Sequence, residues 1–527
     1  MEASDGSIRR RMPLFAKEKL LEQKIKKEKK NKPEPTTARR VWRAVGVGVI
    51  YLLAVSFVVA GLYYKANFNM AFGEVLYTIL SPLGGTGVGT VEQILEPCLP
   101  PILVFLLGYV GLVILLWDKG RVWHILRLTG TWLCVAGLLS SVIYAAFSFR
   151  IPEYIQGSAG KTDLYEQYYV DPNQVAITAD GKTKNLIYIY VESLETTYAS
   201  AEDGGAQAIN YMPRLTALAR ENVSFSGGKK LGGFHSIAGT GWTMGALFGT
   251  TSGVPFSLAV FGNKSHNAMG RDGKFANGLT TLGDILAARG YTQEFLLGSD
   301  RAFAGCSTYL GVHGDYRIYD HETAIEKGEI PEDYNVWWGF EDEILFRIAK
   351  KELLGLAAEG KPFNFTMQTI DLHHVGGYRC NRCGNQYDTT LKNAIDCNDR
   401  QITEFVEWCR EQSFFEDTVI VITGDHPRMD SQLVNQTDFY DRTVYNCFIN
   451  AASEPVKTQN RIATSLDIFP SVLAAMGFTV EGDRLGLGTN LFSDRPTLAE
   501  EKGYSWLEGE VGKYSDYYKK NFVKDRK

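Results

Sequence analysis

Three short polar groups stand directly after apolar, β-branched runs: Glu192 after Asn185–Val191, the Asp371 to His374 group after Phe363–Ile370, and Asp425-His426 after Thr418–Gly424. Two carboxylates and an imidazole can share one divalent cation if a sheet brings such strand ends together. The missing part is a nucleophile. It is offered by Phe234-His-Ser-Ile-Ala-Gly-Thr240-Gly-Trp-Thr243, which sets a threonine between two glycines where a helix-like pattern begins. Glycines let a phosphate approach the backbone, and free N–H groups at a helix start favour an anion. A threonine hydroxyl is weak at its own pKa and needs a base or a metal to activate it. A cation held by Glu192, Asp425 and His426 would do this and would offset charge on phosphoryl oxygens. Thr240 is the candidate for the attacking hydroxyl. Taken singly, Glu192 or Thr240 could be a helix cap and Gly-Asp-His a turn. Their joint order makes the case for chemistry.

Positioning such residues requires a sheet whose strands end on one side. The run Asn185–Val191 is short, apolar and aromatic, as in a buried parallel strand. Helical patterns at Met212–Glu221, Leu282–Arg289, Asp399–Gln412 and Leu466–Met476 alternate with strand-like runs at Thr292–Leu297 and Thr418–Thr423. That alternation predicts an α/β domain with a mainly parallel central sheet, whose ligands sit beyond the carboxyl ends of the strands.

The chain has 527 residues, more than one core usually serves, and a net charge of −5. Its basic charge is local: fourteen Lys and Arg residues, from Arg9 to Arg43, precede the apolar run Ala44–Tyr64. That run has about the ~20 residues a bilayer-crossing helix needs, so the arm reads as a membrane flank rather than a nucleic-acid binder. Further candidate spans are Leu99–Trp117 and Gly130–Phe147. The loop Ala66–Cys98 has no Lys or Arg, whereas Asp118–Thr129 carries Lys119, Arg121 and Arg127. The positive-inside rule then puts the tail in the cytoplasm and everything after about residue 150 outside the cytoplasmic membrane. The first span reads as an anchor, not a cleaved signal. The expected organisation is a basic tail (1–43), a three-helix anchor (44–148), a linker (149–180), a catalytic domain (181–495) and a C-terminal tail (496–527).

Six of the eight cysteines fall in the part expected outside, where disulfides persist. Cys380 and Cys383 have knuckle spacing, but no second pair repeats it and Cys397 and Cys409 are widely separated. A disulfide-stapled loop is expected over a zinc site, with pairing open.

Three further segments, Tyr211-Met-Pro-Arg-Leu-Thr-Ala-Leu, Leu282-Gly-Asp-Ile-Leu-Ala-Ala-Arg-Gly-Tyr291 and Asp467-Ile-Phe-Pro-Ser-Val-Leu473, carry a family likeness. Through them the chain resembles the sulfatase-like phosphoglycerol transferases of the alkaline phosphatase superfamily, which include lipoteichoic acid synthases. Tyr190-Val-Glu-Ser-Leu-Glu-Thr-Thr-Tyr198, Gly239-Thr-Gly-Trp-Thr243 and Leu485-Gly-Leu-Gly-Thr-Asn-Leu-Phe-Ser493 are most similar to the phosphoglycerol transferase I branch. The sulfatase signature of a Cys or Ser followed by Pro-x-Arg is missing, which argues against sulfate-ester hydrolysis. The resemblance implies a metal, commonly manganese, on Glu192, Thr240, Asp425 and His426, with Thr240 carrying phosphoglycerol covalently and Thr243 as the weaker candidate for that role. It also implies His373 at the substrate and leaves Asp300 or Arg301 to hold the headgroup. Two carboxylates, a hydroxyl and an imidazole suit manganese or magnesium without excluding zinc.

The activity implied is transfer of glycerol phosphate from phosphatidylglycerol to a hydroxyl of a periplasmic or cell-surface glycan. A lipoteichoic-type polyglycerol phosphate synthase is the second reading. A phosphoethanolamine transferase or phosphodiesterase is the third, and a non-catalytic tethered binding domain the fourth.

Overall fold

The computed structural model describes residues 37–68, 72–80, 90–117, 120–179, 181–257, 274–434 and 440–523. The expected basic tail up to residue 36 and Lys119 lie outside the described residues. The chain divides into two compact units, residues 1–59 with 99–143, and residues 60–98 with 144–527.

Among the described residues four helices come first: α1 (Thr37–Asn67), α2 (Phe72–Leu80), α3 (Thr90–Leu116) and α4 (Gly120–Ser148). Among the described residues three helical segments are long and apolar enough to cross a membrane: Thr37–Asn67, Leu95–Leu116 and Thr129–Ser148. Within the first unit, the Tyr109 hydroxyl donates to the Ala44 carbonyl at 2.6 Å, and its ring stacks on Tyr51.

In the second unit a six-stranded sheet is built from β1 (Asn185–Val191), β2 (Thr292–Leu297), β3 (Arg317–Tyr319), β4 (Phe363–Gln368), β5 (Thr418–Gly424) and β6 (Asn446–Ile449). The spatial order is β3-β2-β4-β1-β5-β6, parallel throughout except for the β5–β6 pair. The domain is therefore α/β with a mostly parallel sheet, as the alternation of runs predicted. β1 lies at its centre and is buried on both faces. Leu186, Tyr188 and Tyr190 enter one apolar cluster while Ile187, Ile189 and Val191 enter the other. Alternating side chains of a strand point to opposite faces, which is why an unbroken apolar run was needed here.

The covering helices include α5 (Pro213–Glu221), α6 (Thr243–Ser252), α7 (Leu282–Ala287), α8 (Asp342–Ala358), α9 (Thr390–Arg410) and α10 (Ile468–Ala475). Helix α9 starts nine residues before the expected Asp399. Thr389 caps it by accepting from the Lys392 N–H, and its buried face includes Asn393, Asp396, Asn398 and Gln401. A polar buried face hides the 3.6-residue apolar period by which a helix is read. Helix α8 and strands β3 and β6 are additions to the expected set.

Candidate active site

The sheet register explains how residues 233 positions apart meet. Val191 of β1 pairs with Gly424 of β5, so the next residues along, Glu192 and Asp425, leave the sheet side by side. Gly424 is required there because a Cβ would run into the Leu194 carbonyl. Ser193 turns the chain with φ 50°, donates its N–H to Asp425 Oδ1 at 2.8 Å and its hydroxyl to Glu192 Oε1 at 2.5 Å. Such a backbone costs about 1–3 kcal/mol and persists only where its surroundings hold it, as these bonds do.

Glu192, Asp425 and His426 are fully buried, and one ligand atom of each lies within 4.8 Å of the others. His426 Nε2 is 3.5 Å from Glu192 Oε1 and 3.5 Å from Asp425 Oδ2. Its other nitrogen, Nδ1, lies 2.9 Å from the Pro427 carbonyl, an acceptor that holds the ring proton on Nδ1. The neutral ring then presents an Nε2 lone pair to two carboxylates. That arrangement is repulsive unless a cation or a proton lies among them, so the donor set fits a divalent ion. Burial, reinforced by the Glu192 charge, pushes the Asp425 carboxyl up. Burial acts to lower the His426 pKa, but Asp425 and Glu192 outweigh it and the net direction is upward.

The structure separates the two threonines. Thr240 Oγ1 stays within its own turn, accepting from the Ile237 N–H and donating to the Ile237 carbonyl, both at 2.9 Å, with Ser236 Oγ at 3.1 Å. Thr243 opens α6, and its Oγ1 lies 3.4 Å from Glu192 Oε2 and 3.5 Å from His426 Nε2. The hydroxyl that reaches the buried trio is therefore that of Thr243. The first N–H groups of a helix have no partner within it, so an anion seated at Thr243 would meet them. α6 is fixed from below by Tyr190 of β1, whose hydroxyl is 2.6 Å from Thr250 Oγ1.

His373 is buried, with its ring 4.1 Å from that of Trp338. Its Nδ1 is 2.7 Å from the His374 carbonyl, which leaves Nε2 as the lone-pair nitrogen, and burial pushes its pKa down to about 4. The ring is neutral near pH 7 and can accept a proton. Asp371 serves the loop instead: its Oδ1 accepts the Asp342 N–H, while Asp342 accepts the N–H groups of Ile370 and Asp371. Asp300 is exposed and its Oδ1 accepts the Ala302 N–H at 2.7 Å, a local turn. Arg301 is committed to Asp320 by two bonds of 2.8 and 2.7 Å. Neither is brought to the buried trio by the contacts it makes.

These arrangements sit in a recognisable chain. Residues 184–478 match the sulfatase family model. The chain belongs to the sulfatase family. Among curated relatives of this sulfatase-family chain, phosphoglycerol transferase I of Xanthomonas campestris pv. campestris is 32% identical over 326 residues, covering 60% of this chain and 44% of that protein. Phosphoglycerol transferase I of Salmonella choleraesuis is 30% identical over 433 residues, 80% of this chain and 52% of that one. The chain thus spans about half the length of these relatives. A solved structure similar to it is the lipoteichoic acid synthase LtaP from Listeria monocytogenes, at TM-score 0.48 and 17% identity, covering 60% of this chain and 79% of that one.

Several site-shaping residues of this sulfatase-family domain escaped the sequence reading. Gln368, at the end of β4, donates to Asp425 Oδ2 at 3.2 Å, and Thr369 Oγ1 accepts the Glu192 N–H at 3.0 Å. Glu74 of α2 abuts Gly241, where a Cβ would strike its Oε1, and its charge bears on both His426 and Arg442. A cavity of about 590 Å³ opens beside the trio, lined by Glu74, Gly239, Gly241, Trp242, Pro427 and Arg442 among others. Trp242 and Pro427 are the chain neighbours of Thr243 and His426, and the volume suits a small phosphorylated headgroup.

Arg428 ties the two site loops together. Fully buried, it pairs with Asp430 through Nε and Nη2 and donates from Nη1 to the Leu372 carbonyl at 2.7 Å. Arg428→Met leaves Asp430 buried without its cation. It is expected to cost about 3–5 kcal/mol, read as a lowered unfolding midpoint in denaturant.

Proposed function

We propose that this chain is a membrane-anchored phosphoglycerol transferase with Thr243, rather than Thr240, as the attacking hydroxyl. The carrying observation is the Thr243 hydroxyl at a helix start, 3.4 Å from Glu192 and 3.5 Å from His426, beside Asp425. The relatives named phosphoglycerol transferase I support phosphoglycerol as the group transferred; phosphatidylglycerol as donor and a glycan hydroxyl as acceptor belong to this reading. Three apolar segments support an anchor that holds the site near lipid, with the catalytic domain outside the cytoplasmic membrane.

Glu192, Asp425, His426 and the Thr243 oxygen are the residues that hold a divalent ion, manganese in this reading. When bound, that ion lowers the hydroxyl pKa and offsets phosphoryl charge. In the first transfer, Thr243 Oγ1 bonds to phosphorus as the bond to the diacylglycerol oxygen breaks, and the threonine proton ends on that oxygen. In the second, an acceptor hydroxyl gives its proton to His373 Nε2 while its oxygen attacks the phosphothreonine. Thr243 leaves and takes the proton back, so nothing is consumed but donor and acceptor. The α6 N–H groups offset charge on the phosphoryl oxygens in both transfers.

Full-length chain in detergent with manganese tests this on headgroup-labelled phosphatidylglycerol and, in parallel, phosphatidylethanolamine. Diacylglycerol release from the first lipid only, with label passing to an added glucan, is the expected result. Label growing into glycerol phosphate polymer would move the synthase reading ahead, and consumption of phosphatidylethanolamine alone would overturn the donor.

A further inference from the structure

A second group of potential ligands lies apart from the site just described. Cys380 and Cys383 sit on a tight turn, with the Cys383 N–H donating to the Cys380 carbonyl at 3.1 Å. Cys397 enters from α9. The sulfurs of Cys380 and Cys383 are 3.7 Å apart and those of Cys380 and Cys397 3.8 Å, and all three lie within 4.8 Å of one another. None of the three is disulfide-bonded. Cys409, the other cysteine of α9, is elsewhere, buried in the apolar cluster around β4 and α8.

We propose that Cys380, Cys383 and Cys397 hold a soft divalent cation, zinc in the first instance, through three thiolates. A tetrahedral ion with metal–sulfur bonds of about 2.3 Å sets its sulfurs about 3.8 Å apart, the spacing found here for two of the pairs. The surroundings suit charged sulfur. Arg400 Nη2 donates to Cys397 Sγ at 3.5 Å, which offsets the surplus charge of three thiolates on a dication. The amide of Gln401 faces the group, with Nε2 3.5 Å from Cys397 Sγ and 3.8 Å from Cys380 Sγ. Gln401 is 2% exposed and its Oε1 has no partner, so a buried polar oxygen is left unsatisfied on the side chain whose nitrogen reaches two of the three sulfurs. A single disulfide would leave one of three adjacent sulfurs unused. The other cysteines of the unit's core give no sign of a disulfide framework either: Cys306, Cys409 and Cys447 are isolated buried thiols. The ion would pin the loop that begins at Asp371 and carries His373 onto α9, a structural clasp behind the catalytic face.

The experiment is metal analysis of the full chain in detergent after dialysis against zinc with excess manganese, on wild type, Asp425→Asn, Cys397→Ser and the milder, half-buried Cys383→Ser, with folding followed by circular dichroism. Alkylation mapping without reductant runs beside it. The proposal expects one tightly held zinc in wild type and in Asp425→Asn, its loss from a folded cysteine variant, and thiols at 380, 383 and 397 that alkylate only after strong chelation. A mapped disulfide between any two of the three, no zinc in wild type, or zinc retained by both serine variants overturns it. Because Asp425→Asn disables the other ligand set, failure here is distinguishable from failure of the proposed activity.

Discussion

Replacing Thr243 with alanine is expected to lower diacylglycerol release from phosphatidylglycerol by on the order of 10⁴-fold or more, as removal of a nucleophile does elsewhere. Thr240→Ala is expected to stay within about tenfold of wild type. The contrast follows from where each hydroxyl points. Thr243 Oγ1 faces Glu192 and His426, whereas both hydrogen bonds that Thr240 makes to Ile237 remain inside the preceding turn. Losing those turn bonds costs stability, about 1–3 kcal/mol for a buried group, and only loosens the approach to α6. Thr243→Ser keeps an oxygen at the right place without the methyl that fixes its rotamer, so it retains part of the activity. Mass spectrometry of protein quenched during turnover supplies the second readout: a phosphoglycerol adduct on the peptide containing Thr243, absent from Thr243→Ala and present in Thr240→Ala. The reverse pattern, with the adduct lost only from Thr240→Ala, would sink the assignment.

That contrast also marks the limit of what the sequence could disclose. Thr240 follows Gly239 and Thr243 follows Trp242, three residues apart at the approach to the same buried helix, and spacing alone cannot say which one opens it. The decision comes from the Thr240 N–H, which donates to the Ile237 carbonyl at 2.8 Å and closes a turn before the helix begins. The carboxylates were easier. Glu192 and Asp425 follow apolar runs whose burial demands parallel neighbours, and the Val191–Gly424 register brings their ends together. Asp371 has the same strand-end position yet its Oδ1 accepts the Asp342 N–H, because at that residue the chain after β4 packs against the start of α8. Glu74 and Trp338 lie on segments with no strand-end signal, so only tertiary packing could assign them to the site. The grouping of the three cysteines was hidden for a related reason. The early start of α9, masked by its polar buried face, is what carries Cys397 to the Cys380–Cys383 turn.

The second large effect concerns ion removal, and its sign separates an ion site from an ordinary buried network. An ion that binds the folded chain alone stabilises it by about 2.7 kcal/mol at a hundred times its dissociation constant. Manganese is therefore expected to raise the melting temperature of wild type by several degrees over the chelated protein, and Asp425→Asn is expected to lose most of that difference. The chelated variants carry the sharper test. Without a cation, Glu192 and Asp425 are two buried carboxylates facing one imidazole, and Asp425 is held high by burial and by Glu192. Asparagine removes one of the two charges and keeps an oxygen for the N–H groups of Ser193 and His426 that Asp425 Oδ1 accepts at 2.8 and 2.7 Å. Chelated Asp425→Asn should then melt no lower than chelated wild type, although its turnover is lost. Were Asp425 merely a structural acceptor, the substitution would lower the melting temperature equally with and without manganese. Fluorescence melting of the full chain in detergent, with and without chelator, decides between the two.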